Sequence, residues 1–254
     1  MKPKLYIASC SFGKDSIATI LLALENNEPL DRVVFSEVMF DHEKGISGEI
    51  PEHIQWVYDT AIPKLGSMGV KVDVVKDKQD YKSFFTNAVG GGKFKGFLYG
   101  FPIGGKCVIN RNCKIRPIKS YYKQFKGYEI IQYVGIAKDE PKRLSRLKSN
   151  QVSLLEKFGY TESMAMNKCK EYGLISPIYA KGTRGGCWFC MNASIQSYSL
   201  LRDNHPELWG ELRELSKTPN LCSYGFKYGK TLQQVEKEMD AYEFNQKYQL
   251  KLDL

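Results

Sequence analysis

Short unbroken apolar runs alternate along this chain with stretches whose apolar residues return every three or four positions. Leu5 to Ser9 is the first such run and reads as a strand. Lys14 to Glu25 follows with helical spacing and stops at Asn26-Asn27. Arg32 to Met39, centred on Val33-Val34-Phe35, is almost continuously apolar, the pattern of a strand covered on both faces of a parallel sheet. A helix from Pro51 to Leu65, closed by Gly66 and Gly69, leads into a third strand, Val70 to Val75. This βαβαβ order predicts an α/β fold with a doubly wound, mainly parallel sheet and right-handed crossovers. A ligand would then sit at the carboxyl ends of the strands, where Ser11 and Asp41 fall.

The pattern continues with a basic helix from Cys113 to Phe125 and a fourth strand from Glu129 to Ile136. From there it turns helical: Leu144 to Phe158, a helix opened by Thr161-Glu162-Ser163 and stopped by Gly173, then Ser194 to Arg202, Pro206 to Ser216 and Thr231 to Tyr248. Residues 1–145 therefore read as an α/β domain and 146–254 as a helical C-terminal region, either separate or continuous with it. Between Asn87 and Lys106 lie Gly90-Gly91-Gly92, Gly96, Gly100 and Gly104-Gly105, interleaved with Phe94, Phe97, Tyr99 and Phe101. Glycine richness of this kind belongs to a lid or substrate loop, or to an insertion without a role.

Composition narrows the class. With 254 residues, 43% hydrophobic and 13% aromatic, the chain has the material for a full core and is not a disordered protein. Its longest apolar run, Ile17 to Leu24, is too short to cross a bilayer, and no secretory leader is visible, so a soluble, cytoplasmic protein without a membrane partner is expected. Seven cysteines in such a chain point to metal or redox roles rather than to a disulfide framework. The net charge of +9 is concentrated: Arg111 to Lys148 holds eleven Lys or Arg against Glu129, Asp139 and Glu140. Such a segment either attracts a polyanion, a nucleotide or a nucleic-acid acceptor, or is a solvated basic face.

The chemistry begins at Ser11-Phe12-Gly13-Lys14-Asp15-Ser16, between the first strand and the first helix. The first amides of a helix lack backbone partners and lie at the positive end of its dipole, so a strand, a tight turn and a helix start make an anion site. Gly13 permits close backbone approach, Lys14 adds a point charge, and Ser11 and Ser16 can donate to phosphate oxygens. The spacing is not that of Walker A. It resembles the Ser-x-Gly-x-Asp-Ser loop of the PP-loop ATP pyrophosphatases, the adenine nucleotide α-hydrolase superfamily, with Phe12 where Gly is more common. Gly135-Ile136-Ala137-Lys138-Asp139-Glu140-Pro141-Lys142-Arg143 resembles a segment of the phosphoadenosine phosphosulfate reductase-like branch, which includes DNA phosphorothioation sulfurtransferases. The resemblance implies a HUP-like fold that binds ATP and Mg²⁺. Lys14, Asp15 and Arg143 would be catalytic, and Ser11, Phe12, Gly13, Ser16, Asp41, Gly135, Asp139 and Glu140 would line the nucleotide, the last two holding Mg²⁺ or orienting Arg143. As plain structure, Asp139-Glu140-Pro141 is also a good helix start, and an Asp at position 41 is also ordinary turn chemistry.

Cys187 and Cys190 form a C-x-x-C after Arg184-Gly185-Gly186, and Cys107 and Cys113 make a looser pair. Four thiolates would close a tetrahedral zinc site or hold a [4Fe-4S] cluster; buried structural thiols or a dithiol redox pair are the alternatives. The same branch often carries cysteines in these two places, one group ahead of a Lys-x-x-Pro segment, here Lys114-Ile115-Arg116-Pro117. The resemblance thus implies an enzyme that adenylates a substrate, releases pyrophosphate and couples this to sulfur transfer from a sulfur-donor protein. A sulfonucleotide reductase is the nearest rival, but its C-terminal Glu-Cys-Gly-x-His setting has no counterpart: the last cysteine, Cys222, lies between Leu221 and Ser223. A nucleotide- or nucleic-acid-binding module without turnover is the other alternative. Cys10, Cys169 and Cys222 read as packing residues, and His42, His53 and His205 lack ligand spacing. Acceptor and oligomeric state stay open.

Overall fold

The structure, a computed structural model, describes residues 2–103, 107–182 and 185–252, with side chains through 248. Gly104, Gly105, Lys106 and Arg184, named above, lie outside the described residues. The chain forms two compact units, each assembled from separate stretches: 1–38, 49–78 and 112–185 in the first, 39–48, 79–111 and 186–254 in the second.

The first unit is built on a five-stranded sheet of β1 (Lys4–Ser9), β2 (Arg32–Glu37), β3 (Val72–Lys76), β4 (Glu129–Tyr133) and β5 (Gln151–Val152). Its order is β3-β2-β1-β4-β5 and every pairing is parallel, with Ala8 opposite Val33 and Tyr133 and with Tyr133 opposite Val152. This is the doubly wound arrangement expected from the sequence. The strands are apolar on both faces because helices cover both. On one face α1 (Lys14–Glu25) sinks Ile17, Leu21 and Leu22 against Ala8, Val33, Phe35 and Tyr133, and Leu154, Leu155, Ala165 and Cys169 close over them. On the other, Leu5, Ile7, Val34 and Ile130 pack under Ile118, Tyr121, Tyr122 and Phe125. Each such side chain, fully buried, contributes about 1.5–3 kcal/mol.

Three local readings are refined. The helix after β2 runs Pro51–Trp56, relaxes into a π turn at Val57–Ala61 and continues as Ile62–Ser67. The expected helix from Leu144 to Phe158 is interrupted: the chain extends at Gln151–Val152 to complete the sheet, and Ser153 then caps a short helix, Leu154–Lys157, by accepting the Glu156 amide at 3.1 Å. The apolar run Arg32 to Met39 does not form one strand. β2 stops at Glu37, and Met39–Asp41 pairs antiparallel with Ile46–Ser47 in the second unit.

The second unit is held by aromatic stacking and three helices, Ile195–Asn204, Pro206–Ser216 and Leu232–Leu252. Phe226 lies 5.3 Å from both Phe101 and Tyr198 and 6.0 Å from Trp209, ring to ring. A second group joins Phe40 to Tyr81, Trp188 and Phe189 at 5.3, 4.5 and 5.5 Å. Trp188 also donates its ring N–H to the Ser47 carbonyl at 2.8 Å and its amide to Gly48, which fastens the Met39–Ser47 hairpin to the C-x-x-C segment. Among the described residues, no helix is long and apolar enough to cross a membrane.

Candidate functional site

The loop leaves β1 at the carboxyl edge of the sheet and is shaped from beneath by one side chain. Phe12 has φ +56°, a left-handed conformation costly for a residue with a Cβ. Its ring is fully buried and meets Phe35 edge to face at 5.1 Å, so core packing holds the turn in the conformation that glycine would adopt by freedom alone. Gly13 then precedes α1 in extended conformation, with no side-chain cap bonded to it among the described residues. Ser16 Oγ folds back over the turn, donating to the Gly13 carbonyl at 2.9 Å and accepting the Ser11 amide at 3.3 Å.

Residues far away in sequence complete this shell. Tyr179 Oη accepts the Lys14 amide at 3.0 Å, and Cys169 Sγ donates to the Lys14 carbonyl at 3.1 Å. His53, 1% exposed, bridges the Ser11 carbonyl through Nε2 at 3.2 Å and the Ser176 hydroxyl through Nδ1 at 2.8 Å. With Nε2 donating, Nδ1 accepts from Ser176, which is the neutral tautomer, and burial holds the imidazole pKa below its ordinary value. Nearby, Lys114 of the Lys-x-x-Pro segment lies 3.2 Å from buried Glu49.

The Gly135 segment converges on the same loop. A Cβ at Gly135 would lie 2.7 Å from both the Asp15 carbonyl carbon and the Ser16 amide nitrogen, so the chain after β4 passes against the start of α1 where any other residue would collide with backbone. Asp139 reaches the start of the helix Glu162–Glu171, accepting the Glu162 amide at 3.1 Å beside the N-cap Thr161. Glu140 accepts the Ala137 amide at 3.2 Å and holds Arg143 Nη1 at 2.6 Å. Arg143 itself is more than half exposed.

Lys14 Nζ sits between Asp15 at 2.8 Å and Glu162 at 2.9 Å. Burial opposes its charge, but the two carboxylates outweigh that and raise its pKa. Burial raises the pKa of Asp15, Glu162 and Glu140 add to it, and Lys14 offsets part. A cation held by displaceable carboxylates at a helix N-terminus is suited to a polyanion that takes over the lysine. Glu162, Tyr179, Cys169 and His53 were not foreseen as parts of this shell. The capping pattern Thr161-Glu162-Ser163 was the one local signal, and it marked a helix start rather than a partner for Lys14.

Asp41 belongs to the second unit. It is buried and accepts Lys82 Nζ at 2.8 Å and the amides of Glu43 and Lys44 at 2.9 and 3.2 Å. Burial works against its ionisation, yet Lys82 and these amides hold its pKa below the usual carboxylate range.

The cysteines divide between the units. Cys113 is buried in the first, its carbonyl accepting Ser36 Oγ at 2.9 Å. Cys107, Cys187 and Cys190 lie in the second unit, around Tyr81, whose phenol is pushed well up by burial and then by Tyr198 and these three thiols. The C-x-x-C turn is closed by the Cys190 amide on the Cys187 carbonyl at 3.0 Å, and Lys227 Nζ braces it through the Ala193 carbonyl at 2.7 Å. Among the described residues, no three His, Cys, Asp or Glu side chains are drawn together closely enough to hold a metal ion. Of the three cysteines read as packing residues, Cys10 and Cys169 are buried and Cys222 is half-buried.

No protein-family model matches this sequence, and comparison with curated proteins finds no match. Solved structures similar in fold include the following. One is phosphoadenylyl-sulfate (PAPS) reductase from Candida auris in a phosphate complex, 10% identical over 73% of this chain and 82% of that one, with a TM-score of 0.44. Another is the U34-tRNA thiolase NcsA from Methanococcus maripaludis with its [4Fe-4S] cluster, 15% identical over 88% of this chain and 76% of that one, with a TM-score of 0.43. The all-parallel sheet in the order β3-β2-β1-β4-β5, with the Ser11–Ser16 loop leading into α1, is the doubly wound arrangement expected from the sequence.

Proposed function

We propose that this chain is an ATP-dependent adenylating enzyme of the PP-loop type, whose adenylate is consumed by sulfur transfer. The observation that supports the reading is the close approach of Gly135 to the backbone of Asp15 and Ser16, which brings the two motifs of the resemblance together at the start of α1. ATP would place its phosphates on the amides at the start of α1, and Lys14 would exchange Glu162 for them. An acceptor oxygen attacks the α-phosphorus and the bond to the bridging oxygen breaks. Pyrophosphate leaves, and a sulfur nucleophile from a donor protein then displaces AMP. Arg143, oriented by Glu140, and Lys14 stabilise the charge that gathers on the leaving pyrophosphate. Mg²⁺ carried by the nucleotide would meet Asp15 and neutralise further phosphate charge. Thiolates suit zinc or an iron–sulfur cluster, but among the described residues Cys107, Cys187 and Cys190 are not drawn together closely enough to hold one, and Cys113, expected as a fourth ligand, is buried in the first unit.

The test measures ATP binding and pyrophosphate release side by side, with nucleotides, RNA and DNA offered as acceptors. Lys14→Ala and Asp15→Ala are expected to lower release by about 100-fold or more with the fold intact. Unchanged release in both variants would overturn the loop assignment. ATP binding without release under every acceptor would make the chain a nucleotide-binding module instead.

A further inference from the structure

Between Asp80 and Glu129 the chain carries ten Lys or Arg and no acid. Part of this stretch, within the second unit, is a glycine-tipped hairpin. The Val89 amide donates to the Phe97 carbonyl at 2.8 Å, the Gly96 amide to Val89 at 3.0 Å and the Tyr99 amide to Asn87 at 3.0 Å. Its base is rigid. Leu98 pairs with Asn220 and Cys222 through amide–carbonyl bonds of 2.9 and 2.8 Å, and Gly100, at φ +75°, leaves no room for a Cβ against the Ser223 carbonyl.

What the hairpin presents is neither core nor a solvated charged face. Phe94, Phe97 and Tyr99 are 42%, 38% and 53% exposed, and Tyr224 beside the paired strand is 51% exposed. The Phe94 and Phe97 rings meet edge to face at 5.8 Å, and Tyr99 follows two residues further along the hairpin. Lys93 lies 5.6 Å above the Phe94 ring, and neither Lys93 nor Lys95 has an acidic partner among the described residues. Exposed rings gathered on a hydrogen-bonded hairpin, interleaved with uncompensated lysines, match unpaired bases on a phosphodiester backbone.

We infer that the hairpin of residues 87–100 is a docking element for single-stranded nucleic acid, its rings stacking successive bases and Lys93 and Lys95 contacting phosphates. This does not depend on the adenylation reading, because binding is measured without ATP. Fluorescence anisotropy of labelled oligothymidylate and oligouridylate of about twelve nucleotides, against a duplex of the same length, tests it on the full chain. Expected are preference for the single strands by about tenfold or more, and loss of about 10- to 100-fold in Phe94→Ala/Tyr99→Ala at unchanged circular dichroism. Lys93→Gln/Lys95→Gln should lower the slope of log affinity against log salt by about 1.4. Tighter binding of one oligonucleotide assigns RNA or DNA as the preferred strand. Equal binding of duplex and single strand, wild-type affinity in both double variants, or transfer of binding to anionic phosphatidylserine vesicles with no strand preference would each overturn the inference.

Discussion

The loop after β1 and the hairpin at 87–100 are both made of glycine and aromatic residues, and they use them in opposite ways. In the loop the aromatic ring is inside: Phe12 is fully buried, and Gly135 is needed because backbone passes within 2.7 Å of where its Cβ would be. In the hairpin the rings are outside, and a Cβ at Gly90, Gly91 or Gly92 would meet nothing described within 4 Å. Glycine marks close approach in the first case and an open tip in the second. A residue type therefore says little about role until its surroundings are known.

The sharpest way to break the contrast is at Phe12. Phe12→Ala keeps the left-handed conformation and loses the core contact, so denaturant unfolding should show a loss of about 3–5 kcal/mol. Phe12→Gly loses the same contact but relieves the backbone, and should cost about 1 kcal/mol less than the alanine variant. Equal losses would mean that backbone strain is not part of the balance. Next come the glycines. Gly135→Ala should lower stability by about 1–3 kcal/mol and weaken ATP binding, whereas Gly91→Ala should lie within about 0.5 kcal/mol of the parent, since it meets no neighbour. If Gly135→Ala bound ATP normally, the crowding at Ser16 would be irrelevant to the site.

The smallest effect concerns His53. Its folded pKa lies below that of the unfolded chain because burial disfavours the imidazolium. The unfolded state therefore binds more protons just below the ordinary value of about 6.5. The stabilising contribution is present above that value and is lost as pH falls toward the lowered folded pKa. His53→Gln cannot take up a proton in that window. The drop in melting temperature between pH about 7.5 and 5.5 should thus be smaller in the variant, and an identical drop would show that His53 does not sense pH.

The parts that could be read from the chain itself are the ones whose causes are local. Ser11 to Ser16 announces itself because a strand, a small-residue turn and a helix start are contiguous, and β1 to β4 follow from apolar runs. What could not be read arrives through long separations: Tyr179 and Cys169 reach Lys14, and His53 reaches Ser11, by contacts that no spacing rule encodes. Leu144, Leu147, Leu154 and Phe158 imitate helical periodicity, yet Gln151–Val152 extends because Gln132 and Tyr133 offer it a sheet edge. Val38, Met39 and Phe40 continue the apolar run of β2, and an unbroken run does not reveal that its pairing partner has changed.

The interleaving of the two units has a consequence for synthesis. The chain passes from one unit to the other at residues 38, 48, 78, 111 and 185. β1 sits in the middle of its sheet with β4 as a neighbour, so that neighbour is absent until more than half the chain has been made. The aromatic core of the second unit waits longer, for Trp209 and Phe226. The first unit cannot close before residue 185 has been made and the second cannot close until later still, so the nascent chain carries exposed apolar strands through most of its translation. Slowing translation before residue 185 should favour aggregation or chaperone capture over native protein.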